Sequence, residues 1–301
     1  MPERVAAIVG ATGVGKTAIS LAIAPLFGAE IVSIDSMQVY RGMDIGTAKS
    51  PPSARDAVVH HLIDRFDPTD DVTVAEFQAL GRAAIADIAE RGRHPLLVGG
   101  SGLYLRAVVD DLRFPPRSVE VRDALEAEIA TQGPEALHAR LIELDPAAAA
   151  KIEPMNARRI ARALEVIEVT GRPFSENDAW ERFESIYELS IAGMTRPRDE
   201  LYARIEERVD RMLSEGLIDE VRRLQNAGMA RGAGQALGYR QILEAPPDRS
   251  LEQIRDDIVA ATKKFARRQE AWFRNDPRVV WFEPGDPDLV GHLLDFFSEH
   301  S

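Results

Sequence analysis

The sequence predicts an α/β fold: a P-loop parallel sheet flanked by helices, with a mainly helical insertion domain. In the first 114 residues, short apolar runs typical of buried strands alternate with stretches in which apolar residues recur at helical spacing. This alternation is typical of a parallel sheet covered on both faces. After Phe114-Pro115-Pro116 the sequence turns to alanine- and glutamate-rich helical stretches.

The elements of the first part follow one another closely. Predicted strands occupy residues 4–9, 31–34 and 95–98, and predicted helices occupy residues 18–27 and 73–91. A glycine loop separates the first strand from the first helix. Thr73 and Glu76 have the spacing of a capping box, which marks the start of the second helix.

The insertion is predicted at residues 115–186, because no convincing strand interrupts its helical sequence. The sheet resumes with the alternating apolar residues that begin at Tyr187, and residues 279–282 are a further strand candidate. The core domain therefore comprises residues 1–114 and 187–301, with long helices near its C-terminal end.

The amino-acid composition excludes several classes of protein and of binding site. The chain has 301 residues, 45% of them hydrophobic, so it can bury a sizeable core. It has no cysteine, which excludes disulfides and thiolate zinc sites. A net charge of -12 argues against binding nucleic acid through bulk positive charge. We expect a soluble cytoplasmic protein without a membrane span, and a monomer.

A phosphate-binding loop is the clearest motif. Residues 10–17 read GATGVGKT and fit G-x-x-x-x-G-K-[ST] between a strand and a helix. The predicted diphosphate-binding residues are Gly10, Ala11, Thr12, Gly13, Val14, Gly15, Lys16 and Thr17. Glycines let backbone N–H groups converge on phosphate oxygens, Lys16 adds a positive charge, and Thr17 can reach Mg²⁺. The pattern predicts a polyphosphate ligand with Mg²⁺ as cofactor.

Most P-loops hold ATP or GTP and have a carboxylate after another apolar strand. Here the strand at residues 95–98 ends in glycines, and the nearby strand-end carboxylate is Asp35. From the sequence alone, Asp35 can be a Mg²⁺ ligand or a turn-capping carboxylate. His60 and His61 with Asp64 do not predict zinc, since adjacent strand residues point to opposite faces.

Six blocks of sequence resemble the tRNA dimethylallyltransferases, also called tRNA isopentenyltransferases, of the IPP transferase family. They are DSMQVYRGMDIGTAK at 35–49, HHLID at 60–64, GGSGLY at 99–104, RRIARALEV at 158–166, QALGYR at 235–240 and RRQEAWFR at 267–274. The blocks follow the family's order over nearly the whole chain. Departures are Ala11 for proline, Ser101 for threonine, and Arg267 for lysine.

The resemblance implies a reaction and its participants. The donor is dimethylallyl diphosphate, and the acceptor is the exocyclic amine of the adenosine 3′ of the anticodon. Asp35 is similar to the family's general base, and Ser101 keeps the hydroxyl of the threonine that it replaces. Arg204 is similar to the arginine that stabilises the leaving diphosphate, although Arg208 lies one helical turn later.

The resemblance also implies a surface for the tRNA anticodon stem-loop. The expected tRNA-binding residues are Ser36, Met37, Gln38, Arg158, Arg159, Arg162, Gln235, Arg240, Arg267, Arg268, Gln269, Trp272 and Arg274. Residues 263–274 carry five basic side chains against one acid, interleaved with aromatic residues. Without the resemblance, such a run is typical of a solvated helix face.

Two other functions stay open on the residues alone. A P-loop small-molecule kinase would need a nucleotide-base pocket and a phosphoryl acceptor, and no arginine-rich lid is found in the sequence. A regulatory RNA-binding NTPase would not need Asp35 for chemistry.

Overall fold

A six-stranded parallel sheet forms the centre of the protein. The computed structural model describes residues 2–176 and 182–299. The strands are β1 (Arg4–Gly10), β2 (Ala29–Ser33), β3 (His60–His61), β4 (His94–Gly99), β5 (Glu188–Met194) and β6 (Val279–Phe282). They lie in the order β3-β2-β4-β1-β5-β6, and all neighbours pair in parallel. The predicted α/β fold is confirmed.

Helices connect and cover the strands. They are α1 (Lys16–Leu26), α2 (Pro52–Ala57), α3 (Val74–Glu90), α4 (Gly102–Val109), α5 (Val119–Gln132), α6 (Pro134–Leu144), α7 (Pro146–Ala149), α8 (Ala157–Thr170), α9 (Arg198–Ser214), α10 (Leu217–Asn226), α11 (Arg231–Gly234), α12 (Tyr239–Leu243), α13 (Leu251–Arg274) and α14 (Leu289–Glu299). A short 3₁₀ helix spans Phe174–Glu176. In the described part of the chain, no helix has the length and apolar character needed to cross a membrane.

Successive side chains of β1 point to opposite faces of the sheet, and both faces are covered by helices. Ala7 and Val9 pack into a core with residues of α3 and α4, whereas Ala6 and Ile8 pack into a second core with residues of α1 and α14. The sequence analysis did not predict α14. Its residues Leu289, Leu293 and Phe297 recur every four positions and are buried.

The capping box predicted for α3 is present. The side chain of Thr73 accepts a hydrogen bond from the N–H of Glu76 at 3.1 Å, and the Glu76 carboxylate accepts one from the N–H of Thr73 at 2.8 Å. Two otherwise unsatisfied donors at the helix start are thereby paired.

The chain divides into two compact units. One comprises Met1–Asp111 and Glu184–Ser301 and contains the sheet; the other is Leu112–Phe183. The second unit contains α5 to α8 around its own core, which includes Leu125, Leu141 and Leu164.

Candidate functional site

Three neighbouring strands, β2, β4 and β1, end at one edge of the sheet, and the loops after them line a cavity of about 720 Å³. The carboxyl edge of a parallel sheet is where ligands of such folds bind. Lining residues include Thr12, Gly13, Lys16, Thr17, Asp35, Gln38, Asp44, Ile45, Thr47, Gly100, Arg204, Arg208 and Gln269. The structure therefore brings the P-loop and Asp35 together in one cavity.

Glycines in the P-loop occupy conformations that other residues rarely adopt. Gly10 has φ +142° and Gly13 has φ +84°. A Cβ atom on Gly10 would lie 2.6 Å from the carbonyl oxygen of Met194 on the neighbouring strand β5. Helix α1 begins at Lys16, so its free N–H groups and positive dipole end lie at the P-loop, as a phosphate site requires.

Lys16 is held by the P-loop backbone. Its Nζ donates hydrogen bonds to the carbonyl oxygens of Gly10 at 2.9 Å and Ala11 at 2.8 Å. Burial lowers the pKa of Lys16 to about 7, with a further lowering from the charge of Arg208 and an opposing effect of Asp35. A bound diphosphate would favour the charged form of this lysine.

Gln269 supports the P-loop from helix α13. Its Oε1 accepts a hydrogen bond from the N–H of Thr12 at 2.9 Å, and its Nε2 donates to the carbonyl oxygen of Gly100 at 2.8 Å. Gln269 is predicted from the sequence to contact tRNA, but the residue is buried and both ends of its amide form hydrogen bonds inside the protein. It therefore joins two loops of the cavity.

Arginines of α9 and of the segment before it approach the P-loop from the other side. Arg204 donates from Nε to the carbonyl oxygen of Gly13 at 3.0 Å, and Arg196 donates from Nε to that of Val14 at 3.1 Å. Arg208 lines the same cavity as Arg204, and burial lowers its pKa. Arg204 and Arg208 are the sequence-based candidates for the arginine near the diphosphate. Arg196 lies in no motif that could have indicated its contact with the P-loop.

Asp35 is a partly buried carboxylate at the end of β2. Its Oδ1 accepts a hydrogen bond from the N–H of Met37 at 2.9 Å, which fixes the turn. The side chain of Gln38 accepts from the Ser33 hydroxyl at 2.9 Å and donates to the carbonyl oxygen of Thr47 at 3.1 Å. Asp35 and Gln38 thus share the cavity.

Residues 42–49, here called the motif loop, belong to the same wall. Its members Asp44, Ile45 and Thr47 line the cavity. Lys49 has a nearly inaccessible side chain, and its Nζ donates to the carbonyl oxygen of Tyr40 at 2.6 Å. The fold of this loop therefore depends on buried polar contacts.

Of the predicted diphosphate-binding and catalytic residues and the segment 36–38, six are not among the described residues that line the cavity: Gly10, Ala11, Val14, Ser36, Met37 and Ser101. Ser36 and Met37 follow Asp35, and Ser101 is the N-cap residue of α4 without a capping hydrogen bond from its side chain.

Basic residues of α13 that the sequence assigns to tRNA are exposed. Arg267 donates to the Tyr202 hydroxyl at 2.9 Å, and the Arg268 guanidinium lies 5.7 Å from the ring centroid of Phe265. Arg274 pairs with Glu270 at 2.8 Å. These contacts, one of them with Tyr202 on α9, engage the cations and leave them exposed.

Other residues assigned to tRNA have varied surroundings. Trp272 is 42% exposed and packs against Gly102, where a Cβ atom would lie 1.9 Å from the indole ring. Gln235 and Arg240 are exposed.

In the insertion unit, Arg158 and Arg159 are exposed at the start of α8. Arg162 donates to the carbonyl oxygen of Pro115 at 2.8 Å and pairs with the buried Glu165 at 2.9 Å. Its guanidinium therefore has an internal role in this unit.

The cavity suits Mg²⁺ that arrives with a substrate. The described residues contain no group of three His, Asp or Glu side chains that could hold a metal ion by themselves. Thr17 is exposed to the cavity beside Lys16 and offers a hydroxyl oxygen. Mg²⁺ prefers oxygen ligands and is often held through few protein groups with phosphates and waters, so these residues fit it.

Fold and site define a class: an α/β protein with a parallel sheet, in which a glycine-rich loop of the P-loop sequence pattern and the carboxylate of Asp35 line one cavity. Comparison with known families agrees with this class. A model described as IPP transferase matches residues 38–276, and one described as isopentenyl transferase matches residues 3–65.

Named relatives match over nearly the full length. A tRNA dimethylallyltransferase of Thermobifida fusca is 50% identical, with 99% of this chain and 95% of the relative covered. One of Geobacillus thermodenitrificans is 46% identical, with 96% and 93% covered.

Solved structures agree as well. The tRNA isopentenylpyrophosphate transferase of Bacillus halodurans is 42% identical with a TM-score of 0.73, covering 99% of this chain and 96% of that one. A eukaryotic dimethylallyltransferase acting on tRNA is 26% identical with a TM-score of 0.84, covering 99% and 80%. The chain belongs to the IPP transferase family and, like its tRNA dimethylallyltransferase relatives, is a transferase.

Proposed function

We propose that the chain transfers a dimethylallyl group from dimethylallyl diphosphate to the exocyclic amine of the adenosine 3′ of the anticodon in tRNA. The main observation in support of this proposal is that Lys16 and Asp35 line the same cavity and interact electrostatically. The names of the relatives support a dimethylallyl group and tRNA as the participants, and the six sequence blocks support the diphosphate donor and the adenosine acceptor. The P-loop and the carboxylate offer groups for the two halves of this reaction.

The P-loop is proposed to hold the diphosphate of the donor. Within residues 10–17, Gly13, Gly15, Lys16 and Thr17 offer backbone N–H groups at the N-terminus of α1, whereas the N–H of Thr12 is bonded to Gln269. As the bond between the allylic carbon and oxygen breaks, negative charge accumulates on the leaving diphosphate, and Lys16 with Arg204 or Arg208 stabilises that charge. The hydroxyl of Thr17 would help to hold Mg²⁺, which would supply further positive charge near the diphosphate.

Asp35 is proposed to act as the general base. The lone pair of an adenine amine is delocalised into the ring, so its attack on the allylic carbon benefits from removal of a proton. The Asp35 carboxylate accepts that proton as the new carbon–nitrogen bond forms. Its hydrogen bond from the N–H of Met37 orients the carboxylate and leaves the other oxygen available.

The acceptor adenosine must leave its stack to enter the cavity. We propose that Ser36, Met37 and Gln38 contact the everted nucleotide, and that exposed cations such as Arg158 and Arg268 contact phosphates of the anticodon stem-loop. Because the substrate is tRNA, we place the enzyme in the cytoplasm and propose that it acts as a monomer. Ser101 is proposed to assist near the diphosphate from the start of α4.

Transfer of label from dimethylallyl diphosphate to unmodified tRNA in the presence of Mg²⁺ tests the proposal directly. The Asp35→Asn variant removes the base but keeps the size of the side chain. We expect kcat to fall by about 10²- to 10⁴-fold while the donor still binds. Asp56→Asn, at an exposed position of α2, is the matched control and should retain activity.

Two results would contradict the proposal. If ATP is hydrolysed or its phosphate moves to a small molecule without any label on RNA, the chain is a kinase or an NTPase. If Asp35→Asn prenylates tRNA at the rate of Asp56→Asn, then Asp35 is not the base.

A further inference from the structure

A buried carboxylate on α10 is bonded to the backbone of the motif loop. Glu220 is 6% exposed. Its carboxylate accepts hydrogen bonds from three successive N–H groups, those of Asp44 at 2.9 Å, Ile45 at 2.9 Å and Gly46 at 3.1 Å. The hydroxyl of Tyr239 on α12 donates a fourth hydrogen bond to the same carboxylate. Four donors therefore converge on one buried side chain.

These hydrogen bonds tie the loop to the helix energetically. A buried carboxylate is costly unless donors replace its lost water, and hydrogen bonds to an ionised acceptor are stronger than neutral ones. The dependence is mutual, because removing Glu220 would leave the three N–H groups of the loop without their acceptor. The hydrogen bond to Glu220 also helps raise the pKa of Tyr239, after the larger effect of burial, so Tyr239 stays a donor.

Close packing reinforces the contact at Gly46. A Cβ atom at this glycine would lie 2.2 Å from Cε2 of Tyr239 and 2.9 Å from Cδ1 of Leu217. The loop backbone therefore lies directly on side chains of α10 and α12, and residue 46 has no room for a side chain. Both the hydrogen bonds and the packing specify one position for the motif loop.

The motif loop transmits this position to the cavity. Asp44, Ile45 and Thr47 line it, and the carbonyl oxygen of Thr47 accepts a hydrogen bond from Nε2 of Gln38. Gln38 lies three residues after Asp35, and both residues line the cavity. A shift of the motif loop would therefore displace the wall that carries Asp35, whereas the P-loop has its own support from Gln269.

We propose that Glu220 is a positioning residue for the acceptor side of the reaction. It holds the motif loop and, through Gln38, the wall on which the adenosine meets Asp35, without touching the substrate itself. This role rests on the proposed function, since it assigns Glu220 to the tRNA half and not to the donor half of the same site.

The test compares three variants in the labelled transfer reaction. Glu220→Gln replaces an acceptor oxygen by an amide NH₂, and Tyr239→Phe removes one of the four donors and retains the carboxylate. Asp219→Asn removes the same charge from an exposed position of α10 and serves as the control. For each variant we would measure kcat and KM for tRNA, the Kd for dimethylallyl diphosphate by calorimetry, and thermal unfolding.

For Glu220→Gln we expect kcat/KM for tRNA to fall by about tenfold to hundredfold and the Kd for the donor to change by less than about twofold. Tyr239→Phe should shift the same parameter in the same direction but less, which keeps the test valid if Glu220→Gln does not fold. A merely structural role would lower stability and leave the tRNA and donor constants of the folded protein unchanged.

The proposal is overturned if folded Glu220→Gln matches Asp219→Asn in kcat/KM for tRNA. It is also overturned if the Kd for the donor rises as much as the tRNA parameter falls. Absence of transfer by the unmodified enzyme would instead overturn the proposed function, and this role with it.

Discussion

The P-loop and the motif loop form two walls of one cavity, yet they are held in place differently. The P-loop has left-handed glycines such as Gly13, a helix that begins at Lys16, and support from the neutral amide of Gln269. The motif loop is held by the charged carboxylate of Glu220, which is distant in sequence and lies on a different helix.

The supports differ because the two loops are proposed to face different substrates, the diphosphate of the donor for the P-loop and the acceptor adenosine for the motif loop. A loop that must give its N–H groups to a diphosphate cannot use them on a protein carboxylate, so most of its shape comes from glycine conformations. The motif loop instead gives the N–H groups of Asp44, Ile45 and Gly46 to the carboxylate of Glu220. Removing the support of the P-loop should therefore impair binding of the donor, and removing the support of the motif loop should impair the use of tRNA.

The largest expected effect is on the P-loop wall. Replacing Lys16 by Met removes the cation that faces the leaving diphosphate and keeps an unbranched apolar side chain. We expect kcat/KM for the donor to fall by about 10²- to 10³-fold, because a fixed charge is lost where negative charge develops. Labelled transfer at several donor concentrations measures it. A fall confined to kcat/KM for tRNA, with kcat/KM for the donor unchanged, would contradict the proposed assignment of the P-loop to the donor.

A smaller effect is expected when the support of the P-loop is removed. Gln269→Leu leaves the N–H of Thr12 and the carbonyl oxygen of Gly100 without their partner. We expect the Kd for dimethylallyl diphosphate to rise by about tenfold or more, with kcat/KM for tRNA at saturating donor much less affected. Calorimetry measures this Kd. The control variant is Gln225→Leu, at an exposed position on α10.

This variant also tests the expectation that Gln269 contacts tRNA. Loss of tRNA affinity with unchanged donor affinity would favour that contact over the support of the P-loop.

The smallest expected effect is a pH dependence that belongs to the P-loop wall. The pKa of Lys16 in the donor-free enzyme is lowered to about 7 by burial, and a bound diphosphate raises it. Binding therefore takes up a proton, and donor affinity is full below pH 7 and is lost as the pH rises through 7. From this lysine alone we expect about a tenfold loss between pH 6 and pH 8.

Lys16→Arg isolates this contribution, since an arginine stays charged over the whole range. The ratio of wild-type to variant affinity, measured by calorimetry at each pH, removes the titration of the diphosphate itself. A ratio that does not change with pH would show that Lys16 remains charged in the free enzyme.

The sequence predicted most of the fold because its signals are local. Apolar runs gave the strands around β1, and the spacing of Thr73 and Glu76 gave the start of α3. Strand β3 is only two residues long and has no periodic signal of its own, although the adjacent His60 and His61 are expected on a strand. Helix α14 was missed even though its apolar residues recur every four positions.

The supports of the cavity were not predicted, although the sequence held a signal for them. Gln269 lies four residues after Phe265 and four before Phe273, which places it on the inner face of α13. Glu220 lies between Leu217 and Leu224 on the apolar face of α10 in the same way. A polar residue on an apolar helix face indicates a buried partner but does not say which one.

By itself the sequence determined the P-loop, the α/β fold and the family, because each depends on residue types at fixed short spacing. Only the tertiary structure decided that Gln269 bonds to Thr12 and that Glu220 bonds to the motif loop. Such contacts join segments far apart in the chain, and their geometry depends on how the helices pack on the sheet, which no local pattern specifies.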